Sequence, residues 1–291
     1  MAFAASFSYL HIDQPVAEVE LDPCGLLLLD LDAVVRCLGE FVRPTCVIVK
    51  HASPCGLGSS ETLGQAYARA LAGDSESAFG GIVGLNRPLD AATAQAIAST
   101  FYEVIVAPSI EPAAMAVFVK KPNLRLLEFG AIGREASAGP SIEWRTVQGG
   151  WLLQDRDDRP DDPTAWRVAT ARRPSDQELR DLTFAWTACK HVKSNAIVIA
   201  GGEATYGIGQ GQPSRVRAVR LAIQNAGASA RGAVLASDGF FPFPDSVQLA
   251  AAAGITALIQ PGGSVKDSEV VAAADRTGLA VVFTGIRHFR H

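Results

Sequence analysis

The 291 residues, 48% hydrophobic and 19% charged, suffice for one large domain or two ordinary ones and exclude a disordered chain. A net charge of −4 supplies no basic excess for nucleic acid or an anionic membrane, so an anionic ligand must be held by a few placed arginines. The five cysteines (Cys24, Cys37, Cys46, Cys55, Cys189) form no CxxC, no secretory signal opens the chain, and no apolar run approaches the roughly 20 residues of a membrane span, so the expectation is a cytoplasmic protein with reduced thiols.

In chain order, VIVK reads as a buried strand stopped by KHASPCG, where Pro54 cannot continue a ladder and Gly56 allows a sharp turn. SSETLGQAYARALAGD places Leu63, Tyr67, Ala70 and Leu71 on one helical face. IVGL is a strand, Asp90 caps the helix of DAATAQAIAST, and FYEVIVAP is another strand. Between Gly130 and Pro163 the pattern breaks, and QDRDDRPDDP reads as an exposed acidic connection. The alternation then resumes. Ser175 and Glu178 have capping-box spacing, and Leu179, Leu182, Trp186 and Cys189 recur at helical period. AIVIA, GAVLAS, ITALIQ and LAVVFTG are strands between helices closed by Gly227 and Gly254. Both halves share this grammar, which predicts an α/β protein with buried strands.

Several stretches carry chemistry. Lys50 and His51 stand at a strand end, where α/β folds place ligands, and a histidine with an unperturbed pKa of about 6.5 serves as a base. The bland alternative is a solvated lysine beside a core histidine. A zinc deaminase requires His-x-Glu and Pro-Cys-x-x-Cys; Pro54-Cys55 lacks the second cysteine and the chain lacks His-x-Glu, so no metal is expected. KHVKSNA repeats the Lys-His pair at a helix end, where Lys190 and Lys193 complement the dipole, and Asn195 is either a turn residue or a positioned amide. GIGQGQPSR is a weak nucleotide signal; its glycines (Gly207, Gly209, Gly211), with Ser214 as helix cap and Arg215 nearby, could hold an anion. SDGFFPFPD is either a core-filling loop or an apolar wall for a flat ligand, with Asp238 or Asp245 as the polar handle.

Together, KHASPCG, SAFGGIVGLN, EVIVAP, FAWTACKHVKSNAIVIA, QPSRVRAVRLA, SDGFFPFPD, IQPGGSVKD and VFTGIRHFRH resemble, in order from about Asp30, the transformylase domain of the AICAR transformylase/IMP cyclohydrolase family. The resemblance implies two cytidine-deaminase-like α/β subdomains without zinc, here residues 1–145 and 146–291, and a homodimer with active sites at the subunit interface. It implies transfer of a formyl group from 10-formyltetrahydrofolate, a co-substrate, to the amine of an aminoimidazole carboxamide ribonucleotide; no metal is required, and a monovalent cation is admissible. By resemblance, His51 is the acid–base, Lys50 its electrostatic partner, and Asn195 holds His51 and the formyl oxygen. Phe79, Val216, Phe240, Phe241, Pro242, Phe243 and Asp245 line the folate side. Gly80, Glu103, Arg215 and Arg287 meet the amine substrate.

The chain also departs from the family. Nothing before Asp30 corresponds to the cyclohydrolase. FSYLHIDQ offers Tyr9 but no arginine where the family has RYGENPHQ. Leu26 and Leu27 replace two asparagines, and Ser53 replaces the asparagine of KHxNPCG. These changes fall on the amine side, which gives the expectation of an altered acceptor site and an acceptor other than the purine intermediate. The alternatives are a stand-alone AICAR transformylase and a catalytically silent folate-binding or partner protein.

Overall fold

A computed structural model of the chain describes residues 26–130, 142–157 and 160–290. The first part runs α1 (Leu26–Leu38), β1 (Thr45–Lys50), β2 (Ser53–Ser59), α2 (Leu63–Gly73), α3 (Ser75–Ala78), β3 (Ile82–Leu85), α4 (Ala91–Ala98), β4 (Val104–Ala107), α5 (Pro112–Val117) and β5 (Arg125–Glu128). A separate hairpin, β6 (Ile142–Val147) and β7 (Gly150–Asp155), and the short β8 (Arg167–Val168) follow. The second part runs α6 (Asp176–Lys190), β9 (Ile197–Gly201), β10 (Ala204–Gly209), α7 (Arg215–Ala226), β11 (Val234–Ser237), α8 (Asp245–Ala252), β12 (Ala257–Gln260), α9 (Asp267–Thr277) and β13 (Ala280–Phe283).

Local chemistry explains several of these boundaries. The Asp90 side chain accepts from the Thr93 N–H, and Ser175 and Glu178 close a reciprocal capping box. Gly227, at φ 53°, ends α7 in a conformation costly for any other residue. Ser214 stands at the N-cap position of α7, but its side chain makes no capping bond. Leu182, Trp186 and Cys189 are buried, as their period demands, whereas Leu179 at the start of α6 is exposed.

Among the described residues, one mixed sheet has the order β5-β4-β3-β1-β2-β10-β9-β11-β12-β13-β8. Outward from its centre, each half repeats one sequence of neighbours: β2-β1-β3-β4-β5 and β10-β9-β11-β12-β13. The halves join through an antiparallel pairing of Ala204 with Gly58. The helices form two layers. On one face, α1 and α6 pack into a single apolar cluster through Val34, Leu38, Leu182 and Trp186, under strands of both halves. On the other face, α2, α4 and α5 cover the first half and α7, α8 and α9 the second.

Glycines make the helices of that second face lie close. A Cβ at Gly56 would collide with the Ala70 carbonyl of α2, and one at Gly209 with the Ala218 carbonyl of α7. Gly56 is therefore a strand residue beneath a helix, not the turn residue expected from KHASPCG. Gly207 and Gly209 likewise belong to β10 and pack under α7, which corrects their reading as an anion loop. The β6–β7 hairpin stands apart. Its Trp144 and Trp151 are 65% and 64% exposed, and Arg36 of α1 reaches it through Glu143 at 2.8 Å.

Candidate active site

Lys50 and His51 stand at a hairpin turn. Lys50 pairs with Ser53 across β1 and β2, leaving His51 and Ala52 as a two-residue turn with φ of 55° and 58°. Such turns need φ > 0 at both central positions and therefore favour Asn-Gly or Gly-Gly. For other side chains the left-handed region costs about 1–2 kcal/mol per residue. Neighbours hold the turn in place. The buried carboxylate of Asp30, on α1, accepts from the His51 N–H at 3.2 Å and from the Ala52 N–H. Lys193 donates to the His51 carbonyl at 3.0 Å, and the Ser53 hydroxyl bonds the Gln210 side chain. The register shift after Ile48 makes Cys55 an extra residue, a bulge that accommodates Pro54. The His51 imidazole is left exposed at a cleft of about 190 Å³ lined by Lys50, His51, Ser53, Cys55, Ser77, Lys193 and Gln210.

The cleft gathers some expected residues and leaves others elsewhere. Lys50 Nζ bonds the Phe79 carbonyl at 2.7 Å, which brings Phe79 and Gly80 beside it, and the exposed Phe79 ring packs against Phe101 at 5.3 Å. From Gln210 a chain of polar contacts leads away. Gln212 donates to the Gln210 carbonyl, Asn195 to the Gln212 carbonyl at 2.7 Å, and Arg215 to Asn195 Oδ1 at 2.7 Å. Arg215 also grips Asp238 and donates to Ser237. Val216 is half-buried one residue further on. Arg287 stacks over the Phe240 ring at 4.9 Å, and Lys266 lies over the exposed Phe243 at 5.1 Å. Pro242 and Asp245 are exposed, Asp245 accepting from the Ser246 N–H.

Several expectations need correction. Phe241 is fully buried in the second core, where its N–H meets Gln260, so its ring forms no ligand wall. The expectation for Glu103 is not one of them: its partly exposed carboxylate pairs with Arg125 at 3.3 Å, a contact that does not exclude a substrate. Asp238, the alternative handle, is buried and held by Arg215 and Ser194. The second Lys-His pair is internal: Lys190 bonds Glu40 at 2.9 Å, and burial among Arg290, Lys190 and Arg36 keeps the His191 pKa well below its ordinary value. The acidic connection is partly tied down, because Asp157 meets His288 at 2.8 Å and Asp161 accepts from Trp186 Nε1 at 2.9 Å. Cys37, Cys46, Cys55 and Cys189 are free and buried, and burial pushes the Cys55 thiol up to about 12; Cys24 lies outside the described residues. Tyr9 also lies outside the described residues, as does the Leu26 side chain; Leu27 packs against the first core. Among the described residues, no group of three His, Cys, Asp or Glu is arranged to hold a metal, and no helix is long and apolar enough to cross a membrane.

Asp30, Lys193 and Gln210 were not singled out as candidate site residues. A signal for the first lies in the chain itself. VIVKHASPCGLG (47–58) and VIAGGEATYGIG (198–209) align without gaps, matching Val47, Ile48, Gly56 and Gly58 to Val198, Ile199, Gly207 and Gly209. His51-Ala52 then falls on Gly202-Glu203, also a two-residue turn with φ of 56° and 59°. The same offset carries Asp30 onto Asp181, a buried carboxylate on α6 that accepts from the Glu203 N–H at 3.1 Å.

These features define an α/β protein of two topologically equivalent halves, with a Lys-His turn of the first half facing Lys193 and Gln210 of the second. A family model described as "AICARFT/IMPCHase bienzyme" matches residues 27–225. The chain is 50% identical over 265 residues to a "Bifunctional purine biosynthesis protein PurH" of Nostoc punctiforme, which covers 91% of this chain and 51% of the relative. Relatives with the same description from Synechocystis sp. and Myxococcus xanthus are each 51% identical, again over 91% of this chain and about half of their own length. The chain belongs to the AICARFT/IMPCHase family and spans about half the length of the curated relatives it matches.

Proposed function

We propose that this chain is a 10-formyltetrahydrofolate-dependent formyltransferase of the AICAR transformylase type. The observation that carries the reading is the exposed His51, on a turn with a costly backbone conformation, beside Lys50 and Lys193 at the cleft. In the reaction, the amine nitrogen bonds the formyl carbon, the C–N10 bond of the folate breaks, the amine loses a proton and N10 gains one. His51 takes the amine proton, general acid–base help worth about 10²–10⁴-fold. Lys50 offsets charge on the tetrahedral oxyanion, and Asn195, held between Gln212 and Arg215, orients the formyl group. Phe240, Pro242 and Phe243 provide the folate side, with Asp245 as handle, and Arg287 reaches the acceptor. The repeated strand order supports two cytidine-deaminase-like subdomains without zinc, residues 1–145 and 146–291.

The acceptor is an aminoimidazole carboxamide ribonucleotide, in keeping with the names of the relatives, and the setting is purine biosynthesis in the cytoplasm. A second reading, a less polar amine, is favoured by Leu27 and Ser53, which stand where the family carries asparagines. The chain acts as a homodimer, for which the exposed tryptophan hairpin β6–β7 supplies an apolar surface. Release of tetrahydrofolate with the purine ribonucleotide as acceptor tests the proposal. A specificity constant of about 10⁴ M⁻¹s⁻¹ or above supports the purine acceptor. Turnover confined to other amines selects the second reading, and folate binding without turnover of any amine marks a silent relative.

A further inference from the structure

We infer that Asp30 is a positioning residue for the reaction: its carboxylate holds the His51–Ala52 backbone in the left-handed conformation that presents the imidazole to the cleft. The inference rests on the reading of His51 as the acid–base. Two successive non-glycine residues with φ of 55° and 58° do not adopt that conformation cheaply. One buried carboxylate accepts from both of their N–H groups, and Lys193 fixes the intervening carbonyl at 3.0 Å. Removing the carboxylate leaves a turn that the sequence itself disfavours, and His51 swings out of register with Lys50.

The second half provides an internal control. Asp181 accepts from Glu203 as Asp30 accepts from Ala52, and Arg69 donates to the Gly202 carbonyl at 2.9 Å as Lys193 donates to that of His51. There the first turn residue is glycine, which adopts positive φ freely, and no histidine is displayed. Asp181 therefore supports a turn without serving the chemistry.

The test compares full-length His51→Ala, Asp30→Asn, Asp30→Asn/Ala52→Gly and Asp181→Asn in steady-state kinetics with both substrates, thermal melting, and the amide proton resonances of residues 51 and 52. Asn keeps the shape of Asp but turns an NH₂ toward one of the two N–H groups. Asp30→Asn is expected to lower kcat about tenfold, the loss of one charge-assisted bond, with KM for each substrate within about twofold. The added Ala52→Gly restores most of the rate by removing the conformational penalty. Asp181→Asn lowers the melting temperature and leaves kcat unchanged. The amide resonances of residues 51 and 52 shift in Asp30→Asn whatever the acceptor. Wild-type kcat in Asp30→Asn beside a collapse in His51→Ala overturns the role of Asp30 alone, as does a loss that Ala52→Gly leaves untouched or that Asp181→Asn matches. Unshifted amides also overturn it. Full turnover in His51→Ala instead removes the underlying reading of His51.

Discussion

The two halves place the same hairpin turn at two poles of the central sheet and furnish the poles differently. Around Gly202-Glu203 the space is filled with ion pairs. Arg43 bridges Glu203 and Glu61, and Arg69 bonds the carbonyls of Gly202 and Ser59. Around His51-Ala52 the corresponding space is a cleft whose cations, Lys50 and Lys193, bond only backbone carbonyls in the contacts described. One backbone device thus serves as a closed joint at one pole and as a mount for an ionisable side chain at the other. Fold and chemistry separate here: the strand pairing is common, whereas the turn residues and the side chains around them differ.

The largest expected effect concerns what the poles share. Alanine at Gly56 or at Gly209 forces a methyl into a helix backbone and costs about 3 kcal/mol, the upper end for overpacking. Denaturant unfolding of both variants should give similar losses, and a loss at only one would show that the helix–strand packing is not equivalent. The next effect separates the poles. His51→Ala is expected to lower turnover by at least about 10²-fold with folate binding barely changed. Glu203→Ala should leave turnover near wild type, since its side chain meets Arg43. Turnover near wild type in a folded His51→Ala variant would end the assignment.

A smaller effect, opposite in sign at the two turns, sharpens the comparison. Gly202→Ala imposes a left-handed alanine and should destabilise by about 1 kcal/mol, whereas Ala52→Gly relieves one and should be neutral to slightly stabilising. Equal signs in thermal melts would contradict the conformational argument.

The smallest effect is a pH dependence. Burial opposes a charged His288, but Asp157 and Asp161 more than offset it and raise its pKa above the ordinary value. A raised folded pKa contributes stability that is fully present below the unfolded value of about 6.5 and is lost as pH rises through the folded value. The melting advantage of wild type over His288→Gln should therefore be greatest near pH 5 and shrink above neutrality. His191 works the other way. Burial and its cationic neighbours lower its pKa, so it removes stability as pH falls below about 6.5.

What the sequence disclosed was local. The capping box of Ser175 and Glu178 and the cap at Asp90 join residues three apart, and the alternation of strands and helices follows from short periodicities. The turn itself escaped, because His-Ala carries none of the Asn-Gly signal and Pro54 imitates a strand break. The partners of the turn escaped for a different reason. Asp30, Lys193 and Gln210 reach residues 51–53 only after α1 has packed on the sheet and β10 has paired with β2. Phe241 and Phe243 are two residues apart in one aromatic loop; the first enters the core and the second does not, a choice made by tertiary packing.

The apolar cluster that α1 and α6 share beneath the sheet bears on how the chain acquires its structure. Trp186 and Leu182 pack there with Val34 and Leu38, so neither half completes that layer alone. Strands β2 and β10, paired at Gly58 and Ala204, close a very long loop before they meet. Folding of this kind is governed by sequence-distant contacts and is correspondingly slow. Each half released alone would present an unpaired central strand and half of an apolar face, the kind of surface through which partly folded chains associate. Synthesis of the second half is therefore a precondition for the first to hide its own interior.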